Sequence, residues 1–232
     1  MIFYGWQKES LIEWPGKIST VLFCGGCNFR CPFCHNPDLI SFSPQLPSIE
    51  EEEVLDYCLA NKDLLDGLAL TGGEPLLAPK EDLKSFIKKV KKMGLLIAIE
   101  TNGSNPDMIT FLLKDGLIDY LAMDIKAPLE AKKYSEASGI KINLSNIKKS
   151  IKIIIGSGVD YEFRTTVVPD ILSEEDILKI SNQIKGASQY YLQQFRSENV
   201  FNPRLKGMKS YPQEWFDQVV RKIRGLKVGV RY

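Results

Sequence analysis

The stretch "STVLFCGGCNFRCPFCHN", residues 19–36, joins an apolar run to a loop that is dense in metal-binding side chains. Residues 24–36 hold four of the five cysteines of the chain and its only histidine. Such a loop can form disulfides, a zinc site, an iron–sulfur cluster closed by four cysteines, or a cluster with one iron left open. The rest of the sequence is needed to distinguish these four kinds of site.

The amino-acid composition helps to distinguish these four kinds of site. The chain has 232 residues and is 44% hydrophobic, which suffices for a sizeable core without disulfides. Lys+Arg is 30 and Asp+Glu is 29, a balance that predicts neither nucleic acid nor an anionic membrane as the main partner. The first residues do not resemble a secretory signal, and no apolar run reaches the roughly 18 residues of a membrane span. We therefore expect a cytoplasmic protein, in which clustered cysteines hold metal more often than they form disulfides.

Short apolar runs alternate with helical patterns along the chain. The runs that predict buried parallel strands are residues 19–24, 67–73, 95–103, 118–126, 159–169 and 189–195. With helices between them they make six βα units. We predict one α/β domain over residues 1–232 with a parallel sheet, curved or closed, and as its specific form a partial (β/α)6 TIM-like barrel.

Four helices and a last strand are also predicted. The clearest helix repeats apolar residues at i, i+3, i+4 and i+7, namely Leu83, Phe86, Ile87 and Val90. A second helix runs from about Ser48 to Ala60 with Ser48 as N-cap, and a third, capped helix covers residues 173–184. The last helix has Pro212 in its first turn. Residues 226–231 are expected to form a final strand.

Polar and glycine-rich motifs follow the predicted strands one after another. After the cysteine loop come "TGGEP" (71–75), "ETNG" (100–103) and "DIKAP" (124–128), each at the end of a strand. Arg164 lies in the fifth strand, and Gln193 and Gln194 lie late in the sixth. Active sites of parallel α/β sheets form at the carboxyl ends of the strands. The convergence of these motifs predicts an active site there.

The cysteine spacing favours a cluster with an open iron. Cys27, Cys31 and Cys34 are spaced C-x3-C-x2-C, and three thiolates can hold three corners of a [4Fe-4S] cube while the fourth iron binds substrate. Adding Cys24 would give a zinc site or a closed four-cysteine cluster. Zinc ribbons separate their cysteine pairs by roughly 15–20 residues, whereas three residues separate these pairs. Cys58 lies on an apolar helix face and is expected in the core.

The chain resembles the radical S-adenosylmethionine (SAM) superfamily, and within it the glycyl-radical-enzyme activating enzymes, from about residue 4 to 196. The motifs that carry the resemblance are "SLIEWPGKIS", "GCNFRCPFCHNPDLI", "TGGEPLL", "ETNG", "MDIKAP" and "FRTTVVP", in that order. It looks most like the activating proteins of anaerobic ribonucleotide reductase, with pyruvate formate-lyase activating enzyme as a near relative. Cys24 departs from the family pattern, which usually has another residue there.

The resemblance implies a set of site residues. Cys27, Cys31 and Cys34 would hold the cluster, Phe33 would pack on the adenine of SAM, and Lys126 would pair with its methionine carboxylate. The other implied SAM contacts are Gly72, Gly73, Glu74, Thr101, Asp124, Arg164 and Gln194. Glu100, Thr101 and Asp124 match a monovalent cation site. Arg164 is equally well explained by pairing with a carboxylate, and His35 by packing. Glu13 has either a place near the substrate glycine or a role in an ordinary turn.

The resemblance also implies an activity. A radical SAM enzyme cleaves SAM reductively at a [4Fe-4S] cluster, and the 5′-deoxyadenosyl radical takes a hydrogen from a glycine of a partner enzyme, here anaerobic ribonucleotide reductase or a similar glycyl radical enzyme. Ferredoxin or flavodoxin is the expected reductant. The alternatives are a pyruvate formate-lyase-type activating enzyme, a radical SAM enzyme acting on a small molecule such as a deazapurine precursor, and a non-enzymatic four-cysteine metal or electron-transfer module.

Overall fold

The computed structural model describes residues 1–41, 43 and 45–232. Its strands are β1 (Ile2–Phe3), β2 (Trp6–Ser10), β3 (Ser19–Cys24), β4 (Ile49–Glu50), β5 (Gly67–Gly72), β6 (Leu96–Thr101), β7 (Tyr120–Asp124), β8 (Asp160–Val167), β9 (Tyr190–Gln194) and β10 (Val228–Arg231). Its helices are α1 (Pro37–Ile40), α2 (Glu51–Ala60), α3 (Lys80–Lys92), α4 (Pro106–Lys114), α5 (Ala131–Ser138), α6 (Leu144–Ile155), α7 (Glu174–Gln183) and α8 (Gln213–Lys222). The protein is an α/β protein with a mostly parallel central sheet, which confirms the predicted fold class.

The six predicted strands are confirmed as β3, β5, β6, β7, β8 and β9, and the predicted final strand is confirmed as β10. Their apolar residues are buried because helices cover the sheet, as in other parallel α/β proteins. The apolar face predicted for the helix around residue 86 is confirmed too, since Leu83, Phe86, Ile87 and Val90 of α3 are all buried.

Three details of the prediction differ from the structure. Ser48 is not an N-cap, because residues 49–50 pair as β4 with β1 and α2 begins only at Glu51. Pro212 precedes α8 instead of lying in its first turn. The edge strand β2, "WQKES", was not predicted, because its mostly polar residues lack the apolar pattern of a buried strand.

The described chain divides into two compact units. The first unit comprises residues 1–28, 38–101 and 105–121. In it, β3, β5 and β6 are parallel neighbours, and β2 pairs antiparallel with β3. Because parallel strands end at the same edge, the start of the cysteine loop, the "TGGEP" turn and the end of β6 lie at one edge of this unit.

The second unit comprises residues 29–37, 102–104 and 122–232. Strands β8, β9 and β10 are parallel, with Phe163 and Val228 both in register with Tyr190. Arg231 of β10 forms a two-pronged ion pair with the buried Glu162 of β8, at 2.6 and 2.7 Å. One domain over residues 1–232 stays a prediction. Among the described residues no helix is both long and apolar enough to cross a membrane.

Candidate active site

In the first unit the "TGGEP" turn lies directly against the start of the cysteine loop. The backbone N–H of Gly73 donates to the carbonyl of Cys24, and that of Glu74 to the carbonyl of Gly26, both at 2.8 Å. A Cβ on Gly73 would overlap the carbonyl oxygen of Gly26, and Gly72 has a φ of +103°. Only glycine fits both demands without strain. The close packing of two loops thus requires these glycines, independently of any approach to a ligand.

Glu74 ties the ends of two strands together. It is only 2% exposed, and its carboxylate accepts hydrogen bonds from the Thr101 hydroxyl at 2.7 Å and the Leu76 backbone N–H at 3.2 Å. The adjacent Glu100 accepts one from the Thr71 hydroxyl at 2.7 Å. These bonds hold the "TGGEP" turn and the end of β6 in one rigid arrangement, because buried polar groups that keep their partners resist displacement.

Cys24 is a buried thiol at the end of β3. Burial, and to a lesser extent the charge of Glu74, raises its pKa to about 12. A thiol must lose its proton to bind metal, so burial opposes metal binding by Cys24. Burial acts in the same direction on Cys34, where the Asn36 backbone and Lys126 partly offset it. Cys58 is also buried, and burial raises its pKa to about 11, in keeping with the core position predicted for it.

In the second unit the rest of the cysteine loop is anchored by its backbone. The N–H of Cys34 donates to the carbonyl of Cys31 at 3.0 Å, which closes a turn between these two thiols. From outside the loop, Asn202 N–H donates to the carbonyl of Pro32 at 2.8 Å and Phe201 N–H to that of Cys34 at 3.1 Å. The loop is therefore held by a segment more than 160 residues away in sequence.

His35 packs beside this turn. Its ring is stacked on Phe195, with 6.1 Å between the centroids, and its Nε2 lies 2.7 Å from the carbonyl oxygen of Arg196. The side-chain amide of Asn199 donates to the backbone carbonyl of His35 at 2.8 Å. These contacts support the packing role suggested by the sequence.

Asp124, Lys126 and Arg164 form an ionic cluster at the end of β7. One oxygen of Asp124 lies 2.8 Å from Lys126 Nζ and the other 2.9 Å from Arg164 Nε. Burial acts to raise the pKa of Asp124, but the charges and hydrogen bonds of Lys126 and Arg164 outweigh it and lower the pKa to about 2. The pKa of Lys126 is raised in turn, because Asp124 outweighs its burial. The carboxylate is fixed in its ionised form.

Two further predicted residues lie in the same unit. Phe33 is buried, and Lys126 Nζ lies 5.9 Å from the centroid of its ring, within the range of a cation–π contact. Gln194 donates from its side chain to the carbonyl of Tyr211 at 3.2 Å. Gln194 and His35 both line a cavity of about 840 Å³.

Of the predicted cluster ligands, Cys31 is buried, and Cys27 and Cys34 are partly buried. All five cysteines are free thiols, and burial raises the pKa of Cys34, partly offset by a hydrogen bond from the Asn36 backbone and by the charge of Lys126. Within the described part of the chain no three His, Cys, Asp or Glu side chains are grouped as a metal site. The fit to an iron–sulfur cluster therefore rests on the thiol donors, and on the turn that carries Cys31 and Cys34. Glu13 accepts a hydrogen bond from Ser10 within its own turn.

The loops described above belong to a chain that matches a known enzyme superfamily. The sequence profile of the Radical SAM superfamily matches residues 21–184, and the chain belongs to this superfamily and is an enzyme. Membership implies a [4Fe-4S] cluster and S-adenosylmethionine. A Methanocaldococcus jannaschii protein named as a candidate glycyl-radical enzyme activating enzyme is 34% identical over 202 residues, 85% of this chain and 81% of that protein.

Two other proteins are similar to this chain, one in sequence and one in fold. The pyruvate formate-lyase-activating enzyme of Clostridium pasteurianum is 33% identical over 189 residues, which is 78% of this chain and 74% of that enzyme. The crystal structure of Streptococcus suis SuiB bound to S-adenosylmethionine superposes with a TM-score of 0.66 at 14% identity. That match covers 91% of this chain but about half, 52%, of SuiB, and it shows the fold alone. Radical SAM neighbours of this kind have a partial TIM-barrel fold.

Sequence reasoning missed the segment that anchors the cysteine loop. Phe201 and Asn202 contribute backbone N–H groups, and Asn199 contributes its amide, to residues 32–35. Backbone donors leave no signature in side-chain identity, so a single sequence contains no signal for two of these three contacts.

Proposed function

We propose that this enzyme activates a glycyl radical enzyme by removing a hydrogen from a glycine Cα of its partner. The observation that supports this proposal best is the identity of 34% and 33% to two activating enzymes, each over most of both chains. Each alignment spans more than three quarters of this chain. Anaerobic ribonucleotide reductase is the partner we propose, from the resemblance of the motifs.

The cysteine loop would hold the cluster. Cys27, Cys31 and Cys34 supply three thiolates, and no fourth protein ligand is needed if SAM binds the remaining iron. When bound, the cluster and SAM together supply a 5′-deoxyadenosyl radical, which is reactive enough to take a hydrogen from glycine. The protein's own part is to orient SAM and to exclude water.

The remaining residues would position SAM. Phe33 would pack on the adenine, and Lys126 would pair with the methionine carboxylate. Because Lys126 and Arg164 both hold Asp124, their charged ends are already oriented before a ligand arrives, which lowers the entropic cost of binding. Gly72, Gly73, Glu74, Thr101 and Gln194 complete the proposed set of contacts.

A monovalent cation bound by Glu100, Thr101 and Asp124 is part of the proposal. Glu100 and Asp124 carry the negative charge that such an ion requires, although each already has protein partners. We expect SAM affinity, measured by equilibrium binding, to be higher in potassium or sodium than in tetramethylammonium at equal ionic strength. Equal affinity in all three salts would remove the cation from the proposal.

The first experiment measures 5′-deoxyadenosine. Anaerobically reconstituted protein with SAM and dithionite should form it, and the Cys31→Ala variant should not. If the wild-type protein contains a full complement of iron and sulfide but forms none, the open-iron site is wrong and the four-cysteine module becomes the better explanation.

The second experiment identifies the hydrogen donor. With anaerobic ribonucleotide reductase present, electron paramagnetic resonance should detect a glycyl radical with the doublet of one coupled α-hydrogen. A signal with pyruvate formate-lyase instead would reassign the partner. Formation of 5′-deoxyadenosine with neither enzyme giving a radical would favour a small-molecule substrate.

A further inference from the structure

The segment of residues 196–209, here called the basic segment, carries an excess of positive charge. Its basic residues are Arg196, Arg204, Lys206 and Lys209, all exposed, and its one acidic residue is Glu198. This local excess is larger than the formal net charge of the whole chain, which is +1. Arg204, Lys206 and Lys209 have no ion-pair partner among the described residues.

The basic segment is bonded to the part of the cysteine loop that carries two proposed cluster ligands. Phe201 N–H donates to the carbonyl of Cys34 at 3.1 Å, and Asn202 N–H donates to that of Pro32 at 2.8 Å. Phe201 is nonetheless 42% exposed, so the basic segment also presents an apolar ring at the surface. A partner that docks on Phe201 contacts a residue that is hydrogen-bonded to the backbone of Cys34.

Two other basic surfaces among the described residues, on α3 and α6, differ from the basic segment. On α3, Lys84, Lys89 and Lys91 are used in ion pairs, the last with Asp119 at 2.7 Å. Helix α6 exposes Lys148 and Lys152, but its side-chain hydrogen bonds run to the backbone of Gly103 and Ser104. The basic segment therefore joins exposed cations, an exposed aromatic ring and contact with the cysteine loop.

We propose that the basic segment is the docking surface for an acidic protein that carries one electron at low potential. The proposal rests on the proposed function, because the cluster has to be reduced before SAM is cleaved. A positive patch raises the encounter rate with an acidic partner, and an aromatic ring among charges is a typical anchor of an interface. Electron transfer weakens steeply with distance, so a partner bound to a segment that is bonded to Cys34 is well placed.

The proposed step transfers one electron. One electron leaves the reduced carrier, which is oxidised by one unit, and enters the cluster held by the loop, which is reduced by one unit. No covalent bond forms or breaks and no proton is required. The basic segment only binds and orients the carrier.

The test uses flavodoxin in its hydroquinone form as the probe. Arg204→Glu combined with Lys206→Glu should weaken flavodoxin binding by about tenfold or more at low salt and reduce its salt dependence. It should slow reduction of the reconstituted protein by flavodoxin, followed by stopped-flow absorbance, by a similar factor. Reduction by dithionite should be unchanged. The matched control, Lys148→Glu with Lys152→Glu, changes the net charge equally and should leave both quantities near wild type.

Several results would overturn the proposal. Equal effects of the two double variants would mean that only net charge matters. Unchanged flavodoxin binding together with slower glycyl radical formation under dithionite would assign the surface to the glycyl radical enzyme instead. If wild-type protein forms no 5′-deoxyadenosine with dithionite, the proposed function fails, while the binding measurement still decides whether an acidic carrier docks here.

Discussion

At Gly73 the absence of a side chain allows the turn after β5 to lie on the cysteine loop. A methyl group there would meet the Gly26 carbonyl, which is backbone and cannot rotate away. We expect Gly73→Ala to lower the free energy of unfolding by roughly 1–3 kcal/mol or more and to weaken SAM binding. Thermal denaturation and equilibrium binding measure the two effects.

Gly156→Ala is the matched control for this prediction. A Cβ at Gly156 would lie 3.5 Å from the Lys152 carbonyl oxygen, an ordinary contact, and the backbone has a φ of −92°. We expect it to leave stability unchanged or slightly raised. Equal stability of both alanine variants would contradict the proposed role of Gly73.

Cys24 and Cys31 should respond oppositely to replacement. Cys24 is buried and its pKa is raised to about 12, so we expect Cys24→Ala to retain iron and sulfide after reconstitution. Cys31→Ala should lose most of both. Iron and sulfide analysis with the visible absorption spectrum measures the outcome, and loss of the cluster in Cys24→Ala would support the four-cysteine module.

The ionic cluster at Asp124 predicts a pH dependence. The pKa of Asp124 is lowered from its ordinary 3.8 to about 2 in the folded protein. The ionised carboxylate therefore stabilises the folded protein fully above the ordinary pKa, and this stabilisation is lost as the pH falls toward the lowered pKa. Asp124→Asn should therefore be less stable than wild type at neutral pH. The difference in melting temperature between wild type and variant should shrink as the pH falls from about 4 to about 2. A constant difference would contradict this prediction.

At the scale of elements, α7 begins with a complete capping box. The Ser173 hydroxyl accepts from the Asp176 N–H at 3.3 Å, and the Asp176 carboxylate accepts from the Ser173 N–H at 3.0 Å. Burial acts to raise the pKa of Asp176, but hydrogen bonds from Lys133 and Ser173 lower it. The predicted start of this helix was correct because the N-cap signal is local.

Ser173→Ala should lower the free energy of unfolding by about 1 kcal/mol. Chemical denaturation measures it. Ser135→Ala is the control, since Ser135 lies inside α5, where alanine is favoured over serine and no capping bond is lost. A loss in the control as large as that in Ser173→Ala would mean that the cap contributes nothing.

At the scale of the whole molecule, we expect cluster binding to rigidify residues that are distant in sequence. Because Phe201 and Asn202 donate to the backbone of the cysteine loop, loading should slow hydrogen exchange in residues 29–37 and 195–202. The amides of α3 should exchange at the same rate with and without the cluster. Chelation of iron should reverse the protection, and no change at 195–202 would contradict the coupling.

The sequence by itself determined the fold class and the superfamily. Strand and helix patterns, the Ser173 cap and the C-x3-C-x2-C spacing are local, so they can be interpreted one segment at a time. The extents of six strands and the buried face of α3 followed from them. The superfamily was predicted from the same local motifs and is confirmed by the profile match.

Only the tertiary structure decided which partners these residues meet. It showed that two basic side chains, Lys126 and Arg164, form ion pairs with Asp124. It showed that Glu74 is hydrogen-bonded to both Gly26 and Thr101. It also showed that Phe201 and Asn202 donate hydrogen bonds to the cysteine loop. It also showed that Ser48, the predicted N-cap, precedes a strand instead of a helix, because residues 49–50 pair with β1. The physical reason is that backbone hydrogen bonds and distant ion pairs depend on how the chain folds back on itself, which no local pattern encodes.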